Sequence, residues 1–99
     1  MDNQQWREWN LEGLEVTQLR FDFQFHVHLW SSERNLWITF GSPIVLRSNT
    51  GEPLLLDPEQ THTLSPLWSL LFRPVVSFRA SLEGHCQLCF RNGSELSCA

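Results

Sequence analysis

Between residues 19 and 29 the chain alternates without a break. Leu19, Phe21, Phe23, Phe25, Val27 and Leu29 are apolar, and Arg20, Asp22, Gln24, His26 and His28 between them are polar. A period of two marks a half-buried β-strand, because successive side chains of a strand point to opposite faces. The run predicts one strand with an apolar face and a polar face. At about 3.3 Å per residue it would extend roughly 36 Å, so in a small domain it must twist or bend.

Ser31-Ser32-Glu33-Arg34 is polar and turn-like, and Leu36, Ile38 and Phe40 then alternate with Trp37 and Thr39. If Trp30 faces Asn35 across this turn, Leu29 pairs with Leu36, Val27 with Ile38 and Phe25 with Phe40. On the other face His28 meets Trp37 and His26 meets Thr39. A slip by one residue would put apolar side chains opposite polar ones, so this register is the favoured one.

Gly41-Ser42-Pro43 ends that strand, Ile44-Val45-Leu46 forms a short one, and Ser48-Asn49-Thr50-Gly51 turns the chain. Leu54-Leu55-Leu56 is another short strand, with Pro53 suiting an edge or a strand start. Asp57-Pro58-Glu59-Gln60 changes the period: Asp57 suits a cap, Pro58 the first helical position and Gln60 a capping box. Ser65-Pro66 repeats the cap-then-proline pattern. Two short helical pieces across 58–71, separated near Leu64, are expected, with Trp68 and its leucine neighbours in the core. Val76, Phe78, Ala80 and Leu82 then alternate with polar residues, Glu83-Gly84 turns, and Cys86, Leu88 and Phe90 alternate again. Arg91-Asn92-Gly93 reads as a hairpin loop with Gly93 left-handed, which pairs Leu88 with Leu96 and Cys86 with Cys98. The expected fold is one domain over residues 1–99. It is mainly β: an antiparallel curved sheet of six to seven strands, a half-barrel or small sandwich, with one short helical segment near 58–71.

The chain has 99 residues, 41% of them apolar, with five Trp and seven Phe. That is enough aromatic bulk for a core in so small a domain. The net charge is −4, and all seven basic residues are scattered arginines. No basic stripe exists to replace counterions on phosphate, so no nucleic-acid partner is expected. The acidic balance suits a basic protein partner. The opening MDNQQWREWN lacks a basic start and an apolar run, and no segment approaches the roughly 20 apolar residues of a membrane span. A cytoplasmic protein with no membrane contact and with its three Cys reduced is expected.

Candidate chemistry is sparse. Cys86-x-x-Cys89 beside His85 invites a zinc or redox reading, but an odd separation in a strand sends the two thiols to opposite faces. His26 and His28 share a face about 7 Å apart, which could begin a metal site. A third ligand is then needed, and Asp22 is expected to lie too far along the strand. No Gly-x-Ser-x-Gly, phosphate loop or dinucleotide fingerprint is present. No catalytic residue and no cofactor are expected, and the protein is read as a non-enzyme.

Three groups of residues carry a resemblance: Trp9-x-Leu11-x-Gly13-x-x-Val16; Gly51 followed by Asp57-Pro58-Glu59 and Leu67-x-x-Leu70-Leu71; and Val75 followed by Gly84-x-x-x-Leu88-x-Phe90-x-Asn92-Gly93-x-x-Leu96. Taken in order, they resemble a family of small bacterial domains of unknown function, over residues 9–98. The resemblance implies a bacterial setting and a small partner protein of the immunity type. It supplies no catalytic residues.

The function expected is a non-enzymatic protein-binding module, most specifically an immunity protein that blocks a bacterial toxin by covering its surface. The polar face of the long hairpin mixes aromatic anchors with both signs of charge, as interfaces do. Arg20, His28, Trp30 and Trp37 are the expected contacts, with Asp22 as the charge partner of a basic toxin. The alternative is a metal- or small-ligand-binding sensor using His26 and His28. Trp9 is expected to plug one end of the core.

Overall fold

The computed structural model describes residues 5–22, 24–41, 43–49, 51–57 and 59–98, the side chain of residue 61 excepted. Among them lie nine strands: β1 (Trp6–Asn10), β2 (Glu15–Phe21), β3 (Phe25–Trp30), β4 (Asn35–Phe40), β5 (Ile44–Arg47), β6 (Leu54–Leu56), β7 (Val75–Ser81), β8 (Cys86–Phe90) and β9 (Glu95–Cys98). A 3₁₀ helix, Thr61–Leu70, joins β6 to β7. Every strand pairing is antiparallel. The strands form a six-stranded sheet, ordered β1-β7-β8-β9-β5-β6, and a three-stranded sheet, ordered β2-β3-β4. The fold is thus mainly β, and it is an open sandwich, not a closed barrel.

One core lies between the sheets. Val16, Phe25, Val27, Leu29, Ile38 and Phe40 of the small sheet are buried with Ile44, Leu46, Leu56, Val75, Leu88, Phe90 and Leu96 of the large one. The Phe40 and Phe78 rings meet edge-on across the gap, 6.4 Å apart, a favoured aromatic geometry. Leu64, Leu67 and Leu70 of the helix join the same core.

The alternating run 19–29 is not one strand. Asp22 N–H donates to the Gln24 carbonyl at 3.0 Å, and Gln24 N–H donates to Asp22 Oδ1 at 2.9 Å. These bonds reverse the chain, so Phe21 pairs with Phe25 and their rings stack 4.9 Å apart. Two directly opposed residues point to the same face. The reversal therefore keeps the alternation intact while halving the strand. Phe23 lies outside the described residues.

The expected β3–β4 register is the one formed, from Trp30 opposite Asn35 to Phe25 opposite Phe40. The β8–β9 hairpin also pairs Leu88 with Leu96 and Cys86 with Cys98, around Gly93 at φ +92°. Other details differ. β1 is a strand where none was expected, laid against β7 with Trp9 opposite Phe78. An irregularity in β7 between Val75 and Ser77 shifts the alternation, so Val75 is buried and Val76 half-buried; Leu82, in the turn past the end of the strand, is exposed. The helix is one piece with Pro66 inside it, and Gln60 precedes it without a side-chain cap. Asp57 instead accepts Glu59 N–H at 3.0 Å, and Pro58 lies outside the described residues. Three residues per turn align Leu64, Leu67 and Leu70 and leave Trp68 off that face, 59% exposed.

Candidate functional site: the outer face of the small sheet

Residues of even number in β3 and odd number in β4 point away from the core. Trp30 and Trp37 are 47% and 46% exposed, so the described chain does not cover them. His26 and His28 are half-buried beside them. The face is held by its own hydrogen bonds. His28 Nδ1 lies 2.7 Å from the Thr17 hydroxyl, and its ring sits 4.7 Å from the Trp37 ring. His26 Nδ1 lies 2.8 Å from the Thr39 hydroxyl.

The turn at 22–24 adds a charged corner. Asp22 Oδ1 lies 3.0 Å from His26 Nε2, and Asp22 Oδ2 lies 3.7 Å from Arg20 Nε. The Gln24 backbone N–H, and then the His26 side chain, hold the Asp22 carboxyl below its ordinary value. The expectation that Asp22 is out of reach of the histidines is therefore corrected: the reversal carries it back onto His26.

The five residues expected as contacts lie on this sheet but do not form one cluster. His28 and Trp37 are a directly opposed pair. Arg20 pairs with His26 next to Asp22. Trp30 stands at the far end of β3, about 13 Å from His26 by strand rise. The face is an extended platform with a charged corner at one end and an aromatic stripe along the rest.

Among the described residues no group of three or more His, Cys, Asp and Glu side chains is placed to hold an ion. Cys86 and Cys98 face each other in the core, and Cys89 points the other way. The hydrogen bond from Cys86 holds the Cys98 thiol below its ordinary value; the same bond and burial push the Cys86 thiol up.

A second feature has no counterpart in the local sequence pattern. A cleft of about 470 Å³ opens between the sheets beside β4. Trp9, Leu11 and Phe78 line one wall, and Arg34, Leu36, Trp37, Ile38 and Thr39 the other. Trp9 does not plug the core: its ring packs 5.6 Å from Phe78 and stays 42% exposed. Trp9 stands on β1, the edge strand of the large sheet, and lines the cleft instead. The pair Trp6 and Trp9 in a polar segment was the visible signal; it lacked an assigned strand.

Among the described residues no helix is long and apolar enough to cross a membrane. The profile of a family of unknown function, DUF6188, matches residues 7–99. No curated protein and no solved structure matches the chain.

Proposed function

As the chain belongs to DUF6188, a family of unknown function, we propose a role from its own surface: it is a non-enzymatic protein-binding module that docks through the outer face of the small sheet. The observation that carries the reading is the pair of exposed indoles, Trp30 and Trp37, on a face already ordered by side-chain hydrogen bonds. Tryptophan is a frequent interface anchor, and an ordered face loses little freedom on binding. Arg20 and Asp22 put both charge signs beside the indoles, which suits an interface rim. The specific form proposed is an immunity protein that covers a basic bacterial toxin in the cytoplasm. The net charge of −4 supports a basic partner.

In-cell crosslinking in the native host, followed by mass spectrometry, names the partner. With that partner purified, Trp37→Ala is expected to cost about 2 kcal/mol of binding, close to thirtyfold in Kd. Trp68→Ala, exposed on the helix, is the control and leaves Kd unchanged. Crosslinks confined to other surfaces, or unchanged Kd in both Trp30→Ala and Trp37→Ala, overturn the reading.

A further inference from the structure

We propose that the open edge of β4 receives an extended segment of another protein, which adds a fourth strand to the small sheet, buries alternate apolar side chains in the neighbouring cleft and sets a carboxylate on Arg34. The inference goes beyond the outer-face reading and does not depend on it.

The sheet edges are not alike. Near its start β2 is already covered: Phe72 N–H donates to the Val16 carbonyl at 2.6 Å, Val16 N–H donates to the Arg73 carbonyl at 3.2 Å, and Glu15 bridges Pro74. β6 is only three residues long. β1 carries Arg7 and Glu8. β4 reads Asn35-Leu36-Trp37-Ile38-Thr39-Phe40, with no charge and no proline, and its register with β3 has no bulge. Those are the devices by which proteins blunt an edge against unwanted pairing. β4 has none of them.

Its backbone is also presented. Ser31 N–H donates to the Arg34 carbonyl at 2.8 Å, which sets the alternation of the antiparallel ladder. Leu36, Ile38 and Phe40 then bond to β3, and the N–H and C=O groups of Asn35, Trp37 and Thr39 point to the open side. No described strand pairs with them.

The cleft lies where that added strand would run. Trp9 of β1 is 42% exposed and Phe78 of β7, although it meets Phe40 of β4, is only half-buried; both line the cleft. At about 470 Å³ the space is ample for side chains, and its walls are apolar except at Arg34 and Thr39. A strand on β4 would send every second side chain toward Trp9 and Phe78.

Arg34 selects the occupant. Its Nη2 donates to the Asn10 carbonyl at 3.0 Å, which fixes the guanidinium at the rim of the cleft. No described carboxylate pairs with it, and the remaining N–H groups suit one. A second copy of this chain does not supply it. Antiparallel pairing of β4 with itself about Trp37 or Ile38 sets Arg34 opposite residues 40–42, which are Phe, Gly and Ser. A heterologous segment bearing Asp or Glu fits.

The test uses a blocked synthetic peptide that alternates Thr and Val and carries Glu at one end, with the Gln version beside it. Amide exchange followed by NMR is expected to slow at Asn35, Trp37 and Thr39 by about tenfold or more in the complex, with little change at the neighbouring amides. Arg34→Gln is expected to bring the Glu peptide down to the affinity of the Gln peptide. Thr39→Pro blocks the edge without touching the ladder to β3, and Thr39→Ala controls for the lost His26 contact. A peptide N-methylated along its β4-facing side should not bind. Absence of binding at millimolar peptide overturns the proposal, as does binding indifferent to Thr39→Pro. Protection of these three amides that rises with protein concentration alone would assign the edge to a second copy and overturn it too.

Discussion

Asp22 Oδ1 and His26 Nε2 lie 3.0 Å apart across a three-residue reversal, although the local sequence pattern reads as one straight strand. The contact closes the turn and anchors the charged corner of the outer face. It also fixes the direction of a pH effect. The folded-state pKa of Asp22 is held below its ordinary 3.8, first by the Gln24 N–H and then by His26. The carboxylate therefore contributes stability above pH 3.8, and that contribution is lost as pH falls through the lower folded value. Asp22→Asn should remove this part of the acid dependence. Urea unfolding at pH 6 and at pH 3 checks it: the wild-type chain should lose more stability than the variant between the two.

Phe25 is fully buried and sits between Phe21, at 4.9 Å, and Phe40, at 5.8 Å. Phe25→Ala removes the centre of this aromatic row and leaves a cavity. The expected loss is about 3–5 kcal/mol, a large fraction of the total for so small a domain. Phe21→Ala, at a half-buried ring, should cost less. Urea midpoints at constant m-value measure both.

What could be read from the chain, and what could not, follows from parity and period. The β3–β4 register was legible because Leu29, Val27 and Phe25 find apolar partners in only one alignment. The reversal at Asp22 was not, since Phe21 and Phe25 share a face whether the chain runs straight or turns back. At 3.6 residues per turn Trp68 would share a face with Leu64, Leu67 and Leu71; at the three residues per turn of the helix formed it falls outside the Leu64-Leu67-Leu70 row. β1 was missed since Trp6–Asn10 is exposed throughout and is defined only by pairing with β7, some 70 residues later. The polar face with Arg20, His26, His28 and Trp37 was legible from two alternating runs, 19–29 and 36–40, and the register that joins them. The cleft was not, because its walls come from two different sheets, and no local pattern encodes that.

Gly84 and Gly93 separate two costs of adding a Cβ. Both have left-handed backbones, at φ +95° and +92°. Around Gly84 the space for a Cβ is open, whereas at Gly93 it would come 2.9 Å from the Asn49 Cβ. Gly84→Ala is expected to cost about 1–2 kcal/mol, the conformational penalty alone. Gly93→Ala should cost more, since the Ser48–Asn49 turn must also move. Equal thermal shifts in the two variants would show that the Asn49 contact is relieved without cost.

Phe72 presents the reverse case, a bulky residue held where glycine belongs. Its φ is +65°, which costs a residue with a Cβ about 1–2 kcal/mol. The conformation is imposed from both sides: Phe72 N–H donates to the Val16 carbonyl at 2.6 Å, and Arg73 N–H donates to the Leu70 carbonyl at 3.1 Å. The ring recovers little of that cost in the folded chain, since it is 68% exposed. Phe72→Gly should relieve the strain and lose only minor packing. Against this stands the extra freedom of glycine in the unfolded chain, about 0.5–1 kcal/mol. The expected net is a gain of about 0.5 kcal/mol. Phe72→Ala keeps the strain and loses the ring, so it should be neutral to slightly destabilising. Urea unfolding of the two variants side by side checks the argument. Phe72→Gly must be the more stable of the pair; if Phe72→Ala equals or exceeds it, backbone strain at this position is not what the ring is held against.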